Sequence, residues 1–240
     1  MNIFCSGSCR LLNTISYNNN YGCNILHGLK NRNLFGYNFL GKLHDINAHI
    51  QLIKLIRGEI EMELPHLKKF LSIYNNEKWK PTEIDFDSLS ESLINLKNNI
   101  DNCDYYIFEI CSIKSYKMNN YYCHHEQFMN NIIDPECEII IFDEIELSKK
   151  INELIDLLPN KKIIFQCHFR PNIIFNDDSK KIENREIIYN SILKCCNKNV
   201  YVYDPSFIIT NNLDLLADEN HFSDLGLQKS QEYIFKNLIE

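Results

Sequence analysis

The sequence predicts one α/β domain, a three-layer sandwich in which a parallel sheet of about five strands lies between two layers of helices. Three observations lead to this prediction. The chain has 240 residues, enough for one well-buried domain of this class. Short apolar runs of β-like composition alternate with segments of helical period, the pattern of a parallel sheet with crossover helices. No internal repeat and no Pro-, Gly- or Ser-rich linker divides residues 1–240, so a single domain is expected.

Five apolar runs are the candidate strands of this sheet. They are Asn2 to Ser6, Leu34 to Leu40, Asp104 to Cys111, Lys161 to Cys167 and Asn199 to Tyr203. Helical segments lie between these runs and after the last one, which favours parallel rather than antiparallel pairing.

The candidate helices alternate with these strands. They are Asp45 to Arg57, Leu89 to Asn99, Glu144 to Leu158, Ile182 to Cys196 and Asp224 to Leu238. Several begin with acidic residues or follow a Ser, as suits a helix N-terminus. In the last of them we expect a buried stripe of Leu225, Tyr233, Ile234 and Leu238.

Two stretches have no clean period. One covers residues 58–88, and the other, residues 114–143, is rich in Tyr, Asn, Cys and His. Both are interpreted as insertions over one end of the sheet, where loops commonly carry specificity.

Composition narrows the class of partner and the compartment. The net charge of −7 argues against a nucleic-acid partner, because affinity for phosphate backbones comes from clustered Lys and Arg. No apolar run approaches the roughly 18 residues of a membrane helix, so no membrane partner is expected. The ten cysteines follow no secretory signal, which favours reduced thiols and a cytoplasmic location. The sequence makes no prediction of the oligomeric state.

The first candidate strand runs into the segment FCSGSCRLL. Gly7, Ser8 and Cys9 come just beyond the carboxyl end of that strand, where open α/β sheets place their ligand crevice. A strand-to-helix turn there aims backbone N–H groups and the positive end of a helix dipole at the residue it exposes. Either Ser8 or Cys9 is then a candidate nucleophile. The alternative is a plain turn in which Cys9 is a small buried filler.

A second motif precedes the last candidate helix. Asp218 and His221 are three residues apart in DENHFSDLG, followed by Ser223 and Gly226. At this spacing the carboxylate can hold one nitrogen of the imidazole while the other nitrogen faces a nucleophile. Together, the two ends of the chain predict a Cys-His-Asp arrangement.

The pair of motifs resembles the SGNH (GDSL-type) hydrolase superfamily, in which Gly-Asp-Ser follows the first strand and Asp-x-x-His precedes the C-terminal helix. The resemblance is nearest to the Gly-Ser-Cys and Gly-Asn-Cys variants, the GSCFA-domain and capsule-biosynthesis acetyltransferase-like proteins. It implies a flavodoxin-like sandwich and puts Cys9 at the nucleophile position, with His221 as base and Asp218 as its orienting carboxylate.

The same resemblance implies an oxyanion hole. Its donors correspond to the N–H groups of Cys9 and of Gly41, which stands between a candidate strand and a candidate helix. After the third strand the superfamily has Gly-x-Asn-Asp, whereas this chain has Ile113 at the Asn position and Ser112 as a substitute donor. The loss of one such donor typically costs a factor of about 10² to 10³ in rate.

Five further residues are candidates for substrate binding because they stand near these motifs or at strand ends. They are Ser8, Arg10, His44, His168 and Arg185. His168 is also a candidate alternative base. The alternatives are a hydrogen-bonded structural histidine and an arginine on a solvated helix face.

Metal and redox chemistry are weaker hypotheses. The segment YYCHHEQF contains Cys123, His124, His125 and Glu126, with Cys137 downstream, but no Cys-x-x-Cys or His-x-x-x-His spacing supports a zinc site. We therefore expect no metal and no resident cofactor. Cys5 and Cys9 flank a turn, but their spacing is not that of a redox motif.

The function that follows is that of an esterase or O-acyltransferase working through a covalent acyl-enzyme. A thiol pKa of about 8.5 falls beside an imidazole, which makes the thiolate available for attack. A carbohydrate or other small-molecule ester is the expected substrate, on the resemblance alone, and a coenzyme A thioester is a possible acyl donor. The alternative is a catalytically silent carbohydrate- or partner-binding protein of the same fold.

Overall fold

The computed structural model describes most of the chain. The described residues are 1–18, 20–25, 43–63, 74–75, 80–81, 94–123, 137–169, 179–210, 212–218 and 220–239. The candidate strand Leu34 to Leu40 and the candidate donor Gly41 lie outside them.

The described strands are of two kinds, those of a central sheet and those of two smaller sheets. In chain order they are β1 (Asn2–Ser6), β2 (Asn24–Ile25), β3 (Tyr74–Asn75), β4 (Lys80–Pro81), β5 (Tyr105–Ile110), β6 (Lys114–Met118), β7 (Tyr121–Cys123), β8 (Cys137–Ile141), β9 (Lys162–Cys167) and β10 (Val200–Tyr203).

The described helices follow the same alternation. They are α1 (Cys9–Ile15), α2 (Ile46–Arg57), α3 (94–100), α4 (Glu144–Asp156), α5 (Ser179–Cys195), α6 (Ser206–Ile209) and α7 (Asp224–Ile234). A 3₁₀ turn covers Leu213–Leu215, and a π-helical turn, Phe235–Ile239, continues α7.

The central sheet has five parallel strands in the order β10-β9-β5-β1-β2. This confirms the predicted α/β fold class. It is a doubly wound order, in which the chain reverses direction across the sheet between β1 and β5, and such sheets bind ligands at the carboxyl ends of the two strands at this point. Four of the five strands match predicted runs. The strand beside the outer edge of β1 is Asn24–Ile25, which the sequence did not predict because two residues show no period.

Alternating side chains divide the core into two layers. Phe4, Tyr106 and Phe165 point to the face covered by α2, α4 and α5. Ile3, Ile107 and neighbouring residues point to the opposite face, covered by α1 and α7. The three inner strands, β9, β5 and β1, therefore bury both of their faces, as is typical of a parallel sheet.

The helix predictions hold with small changes of boundary. Asp45 caps α2 by accepting a hydrogen bond from the N–H of Ala48, and Asp143 and Glu146 form a capping box at the start of α4. The predicted helix Leu89 to Asn99 is described only as α3, residues 94–100.

The predicted stripe on the last helix is correct for Ile234, which is buried, and wrong for Leu225, which is 43% exposed. Gly226 and Ser230 face the core instead. Small residues one turn apart let α7 lie close to the rest of the chain, and this rotates Leu225 outward.

The two predicted insertions contain strands of their own. Within residues 114–143, β7, β6 and β8 form an antiparallel sheet, and within residues 58–88, β3 pairs with β4. Among the described helices, none is both long and apolar enough to span a membrane.

Candidate active site

The turn after β1 depends on the absence of a side chain at Gly7. A Cβ atom there lies 2.6 Å from the Cβ of Glu109 on β5, far inside contact distance. The backbone N–H of Leu43 donates to the carbonyl of Gly7 on the other side. The predicted strand-to-helix turn is thus present, and α1 begins at Cys9.

The two candidate nucleophiles in this turn have different environments. Ser8 is 2% exposed, its hydroxyl lies 2.5 Å from Oε2 of Glu109, and it caps α1 by accepting from the N–H of Arg10. Cys9, the next residue, is half-buried rather than buried. Ser8 is therefore part of the framework of the turn, and its neighbour carries the accessible thiol.

Other thiols near the turn are poor candidates for the nucleophile. Burial, reinforced by the Glu109 carboxylate, raises the pKa of Cys5 and that of Cys111 well above the usual range. Both thiols stay protonated at neutral pH. Since Cys5 is fully buried and Cys9 is not, the two differ in accessibility as expected.

Glu109 is the residue beneath the turn that sequence reasoning missed. Its side chain is fully buried on β5, and its carboxylate accepts hydrogen bonds from the N–H of Ser8 at 2.8 Å and from Nε of Arg10 at 2.7 Å. Burial lowers the pKa of the Arg10 guanidinium, but the charge of Glu109 and its hydrogen bond, together with the neighbouring Cys111 and Cys9, raise this pKa overall. The only available signal was a single acidic residue inside the apolar run Tyr105–Ile110, because such a residue is rarely buried without a partner.

The second motif forms a compact loop before α7. Nδ1 of His221 lies 2.8 Å from each carboxylate oxygen of Asp218. The hydrogen bond from the N–H of Asn220 lowers the pKa of Asp218 most, burial opposes it, and the hydrogen bonds and charge of His221 lower the pKa further, so the carboxylate is ionised. Because a carboxylate only accepts, Nδ1 carries the hydrogen and Nε2 is left as the basic nitrogen.

Ser223 and Gly226 hold this loop on the end of α7. The Ser223 hydroxyl donates to the carbonyl of Asp214 at 2.6 Å, accepts from the N–H of Gly226, and so caps the helix. A Cβ at Gly226 lies 2.0 Å from the carbonyl oxygen of Leu215. The Ser-x-x-Gly part of the motif is therefore required for the capping and packing of α7, independently of any reaction.

Three contacts tie the C-terminal loop to the Cys9 turn and to the end of β9. Nη1 of Arg10 donates to the carbonyl of Asn220 at 2.9 Å, and the Asn220 side chain forms a hydrogen bond with His168. The rings of Phe169 and Phe222 meet edge to face with centroids 4.7 Å apart. The structure thus brings the Cys9 turn and the His221 loop to the same edge of the sheet.

His168 belongs to this junction as a neutral ring. Burial lowers its pKa well below the usual value, and the charges of Arg10 and Arg185 lower it further. Its Nδ1 donates to the carbonyl of Phe169 at 3.3 Å. Only 8% of the residue is exposed, and 7% of Arg185, so both lie inside the wall of the crevice.

The loop after β5 is tied to the segment before α2. The N–H groups of Cys111 and Ser112 both donate to the carbonyl of His44, and the Ser112 hydroxyl donates to the carbonyl of Lys114. Both donors of Ser112 are therefore engaged within the fold. Ile113, the next residue, is 6% exposed and packs into the core.

A fully buried histidine lies under the same edge. Nε2 of His49 lies 2.9 Å from the carbonyl of Glu109, and Nδ1 lies 3.0 Å from the Ser6 hydroxyl. The carbonyl only accepts, so Nε2 carries the hydrogen and Ser6 donates to Nδ1. Burial lowers the pKa of His49 to about 4, which keeps this arrangement neutral.

Within the described residues, no three His, Cys, Asp or Glu side chains lie together in a way that holds a metal ion. The segment His124 to Glu126 lies outside them.

The edge just described is a doubly wound α/β crevice in which an accessible thiol and an Asp-His pair lie on segments joined by hydrogen bonds. No protein-family model matches this chain, and no match is found among curated proteins or solved structures. Any assignment of chemistry therefore has to rest on the geometry of the crevice and on the two motifs.

Proposed function

We propose that this protein is an acyl-transfer enzyme of the SGNH type, an esterase or O-acyltransferase in which Cys9 is the nucleophile, His221 the base and Asp218 the carboxylate that orients it. The observation that carries the proposal is the Asp218–His221 hydrogen bond on a loop that Arg10 ties to the Cys9 turn through the carbonyl of Asn220.

The first half of the proposed reaction acylates Cys9. Nε2 of His221 takes the proton of the thiol while Asp218 stabilises the resulting imidazolium. The thiolate attacks the carbonyl carbon of an ester or thioester, and the carbonyl oxygen takes up the negative charge. When this intermediate collapses, the alcohol or thiol leaves with the proton held by His221, and the acyl group remains on sulfur.

The second half removes the acyl group. His221 takes a proton from water or from an acceptor hydroxyl, whose oxygen attacks the thioester carbon. Collapse of the second intermediate regenerates the Cys9 thiol, which regains its proton from His221. Water as acceptor makes the enzyme an esterase, and a sugar hydroxyl makes it an O-acyltransferase.

One donor of the oxyanion hole belongs to the turn itself. No hydrogen bond of the described residues engages the N–H of Cys9, as expected at the first position of a helix. This N–H is the proposed oxyanion donor, together with that of Gly41. An acylated carbohydrate as substrate and a coenzyme A thioester as donor are proposed from the resemblance to capsule-biosynthesis proteins.

Intact mass spectrometry tests the covalent step. The protein is exposed briefly to p-nitrophenyl acetate or to acetyl-coenzyme A and compared with the variants Cys9→Ala and His221→Ala. A single acetyl adduct on the native chain, lost in both variants, is expected, and the better donor distinguishes the esterase from the transferase.

The variant Cys196→Ala is the matched control. Cys196 is another half-buried cysteine, but it follows α5 at the opposite edge of the sheet. The adduct should persist in this variant. If neither donor leaves an adduct, and iodoacetamide labels Cys9 no faster than Cys196, the acyl-enzyme proposal is wrong.

A silent binding protein is the second candidate, and a specific observation favours it. Ser112 has both of its donors engaged, and the Ile113 side chain is packed into the core, so neither side chain supplies an oxyanion donor. Under this alternative the crevice binds an acylated carbohydrate without cleaving it. Binding of such a sugar by calorimetry, unaffected by Cys9→Ala and with no adduct formed, is the result that supports it.

We also propose a reducing, cytoplasmic compartment. All ten cysteines are free thiols in the structure, including several half-buried ones. Thiols of this kind persist where glutathione keeps them reduced.

A further inference from the structure

We propose that Glu109 is a positioning residue, acting through Arg10 to hold the His221 loop within reach of Cys9. This inference rests on the proposed function, in which His221 must reach Cys9. It adds a residue that neither sequence motif contains and assigns Arg10 to the framework rather than to substrate binding.

The carboxylate of Glu109 connects to both sides of the turn. Oε2 accepts from the N–H and the hydroxyl of Ser8, at 2.8 and 2.5 Å, and so fixes the residue before Cys9. Oε1 accepts from Nε of Arg10 at 2.7 Å. Because Glu109 lies on the central strand β5 and is fully buried, it is a rigid anchor for these three contacts.

Arg10 passes this anchoring on to the C-terminal loop. Its guanidinium is planar, so fixing Nε also fixes the direction of Nη1, which donates to the carbonyl of Asn220 at 2.9 Å. The same guanidinium lies over the ring of Phe169, 5.6 Å from its centroid. His221 follows Asn220 directly, so the position of the imidazole depends on a chain of contacts that begins at Glu109.

Arg10 contacts Glu109, which is 99 positions away in sequence, and Asn220, which is 210 positions away. A buried ion pair is weak support for stability, since apolar residues of similar size often stabilise a core equally well. Here the ion pair also contacts Ser8 and the carbonyl of Asn220, at the point where the two motifs meet. This arrangement indicates that the pair positions the two motifs relative to each other. We call Glu109, Arg10 and the Asn220 carbonyl the buried bridge.

Chemical cross-linking measures this role without any acyl donor. His221→Cys introduces a thiol at the position of the imidazole, and a short bifunctional methanethiosulfonate joins thiols that lie close together. Peptide mapping identifies the linked pair among the other cysteines. The rate is measured with the buried bridge intact and with Arg10→Met and Glu109→Gln added, a pair of changes that removes both charges together and keeps the volume.

With the buried bridge intact, we expect the link between Cys9 and the thiol at position 221 to form readily. Without the bridge, the link should form at least about tenfold more slowly, because the effective concentration of the thiol at position 221 near Cys9 falls. Arg10→Lys should retain the ion pair and the melting temperature but slow the link, because one ammonium group cannot reproduce the fork of the guanidinium. Lys54→Met with Glu153→Gln, which removes an ion pair between α2 and α4, is the control and should leave the rate unchanged.

Two outcomes overturn the inference. One is an equally fast link in a folded variant without the bridge, and the other is no link at all when the bridge is intact. Circular dichroism and melting curves establish that the compared variants are folded. Since no acyl transfer is involved, a normal cross-link in a protein that never forms an acetyl adduct overturns the proposed function and leaves the positioning role standing.

Discussion

At Gly7 a hydrogen atom in place of a side chain lets β5 pass directly beneath the turn that carries Cys9. The space that a Cβ would need is occupied by Glu109, whose carboxylate binds Ser8 and Arg10. The same contacts bury Ser8, so the proposed function assigns the nucleophile to Cys9. The conformation of this turn is thus decided by one glycine and one carboxylate.

Gly7→Ala should destabilise the fold by about 1–3 kcal/mol, because the new methyl group overpacks the space beside Glu109. It should also slow alkylation of Cys9 by iodoacetamide, since the turn must shift. Urea unfolding and peptide-resolved labelling measure the two effects.

Gly22→Ala is the comparison for this variant. Gly22 has a positive φ of 59° but no atom near its missing Cβ, so its cost of about 1 kcal/mol is one of backbone strain. It should leave the labelling of Cys9 unchanged. Equal labelling rates in Gly7→Ala and the native chain would contradict the steric argument.

His49 should make the fold sensitive to acid. Its pKa is about 4 in the folded protein against 6.5 when unfolded, because burial disfavours the charged ring. The unfolded chain therefore binds the proton more tightly, so stability is complete above pH 6.5 and declines as the pH falls towards 4. The loss is about 3 kcal/mol. His49→Gln should remove this part of the pH dependence in urea unfolding measured between pH 4 and 7.

Asp45 acts in the opposite direction over nearly the same range. Burial raises its pKa from 3.8 to about 6, against hydrogen bonds from Ser115 and from Ala48 and Asn47 N–H groups that lower it. Its folded state holds the proton more tightly, so its contribution to stability decreases as the pH rises from about 4 to 6. The contribution of His49 is therefore obtained by subtracting the free energy of unfolding of His49→Gln from that of the native chain at each pH. A difference that does not vary with pH would contradict the assignment.

Among the elements, α7 shows how one sequence motif can combine candidate catalytic residues with residues that cap and pack a helix. Asp218 and His221 lie in the loop before it, whereas Ser223 caps the helix and Gly226 allows it to lie against the carbonyl of Leu215. The buried face of α7 consequently begins with the small residues Gly226 and Ser230 and continues with Gln231 and Ile234, while Leu225 faces outward. The helix closes over β10 through a hydrogen bond between Tyr203 and Ser230 at 2.7 Å.

Gly226→Ala should destabilise the protein by about 3 kcal/mol, with the Cβ forced against backbone rather than a movable side chain. In an exposed helix the same change stabilises by about 1 kcal/mol, so the expected sign is reversed. Thermal unfolding measures it. Lys229→Ala, three residues further along at an exposed position, should change the melting temperature little. A stabilised Gly226→Ala variant would show that α7 does not lie close to Leu215.

At the scale of the whole molecule, the doubly wound order gathers the candidate site from distant segments. The ends of β1, β5 and β9 are neighbours in the sheet, so Cys9, Cys111 and His168 reach one edge although more than a hundred residues separate the first two. The C-terminal loop reaches the same edge because α7 packs on α1. This is the reason that motifs at opposite ends of the chain meet.

The free cysteines give a prediction for the whole chain. None of the ten forms a disulfide in the structure, so ten thiols should react with Ellman's reagent after denaturation, and fewer in the native protein because several are buried. Addition of dithiothreitol should leave the melting temperature unchanged, since there is no disulfide to reduce. A shift of the melting temperature on reduction would contradict the free-thiol state.

Local patterns were sufficient for most of the fold. The run Asn2–Ser6 and the helix cap at Asp45 are encoded within a few residues, because strand composition and capping are short-range effects. The Asp218–His221 contact was also predictable, since three residues of a loop suffice to form it. Strand β2 was not predicted because a pair of two residues is defined by its neighbour β1 and not by its own sequence.

The sequence by itself determined the class of fold, the order of its main elements and the two motifs that carry the candidate nucleophile and base. Only the tertiary structure decided that Ser8 is buried, that Leu225 faces outward and that Glu109 and Arg10 join the two motifs. The physical reason is the distance along the sequence over which each interaction acts. Periodicity and capping act between residues a few positions apart, whereas burial and hydrogen bonding across β1, β5 and the C-terminal loop depend on which segments the sheet brings together.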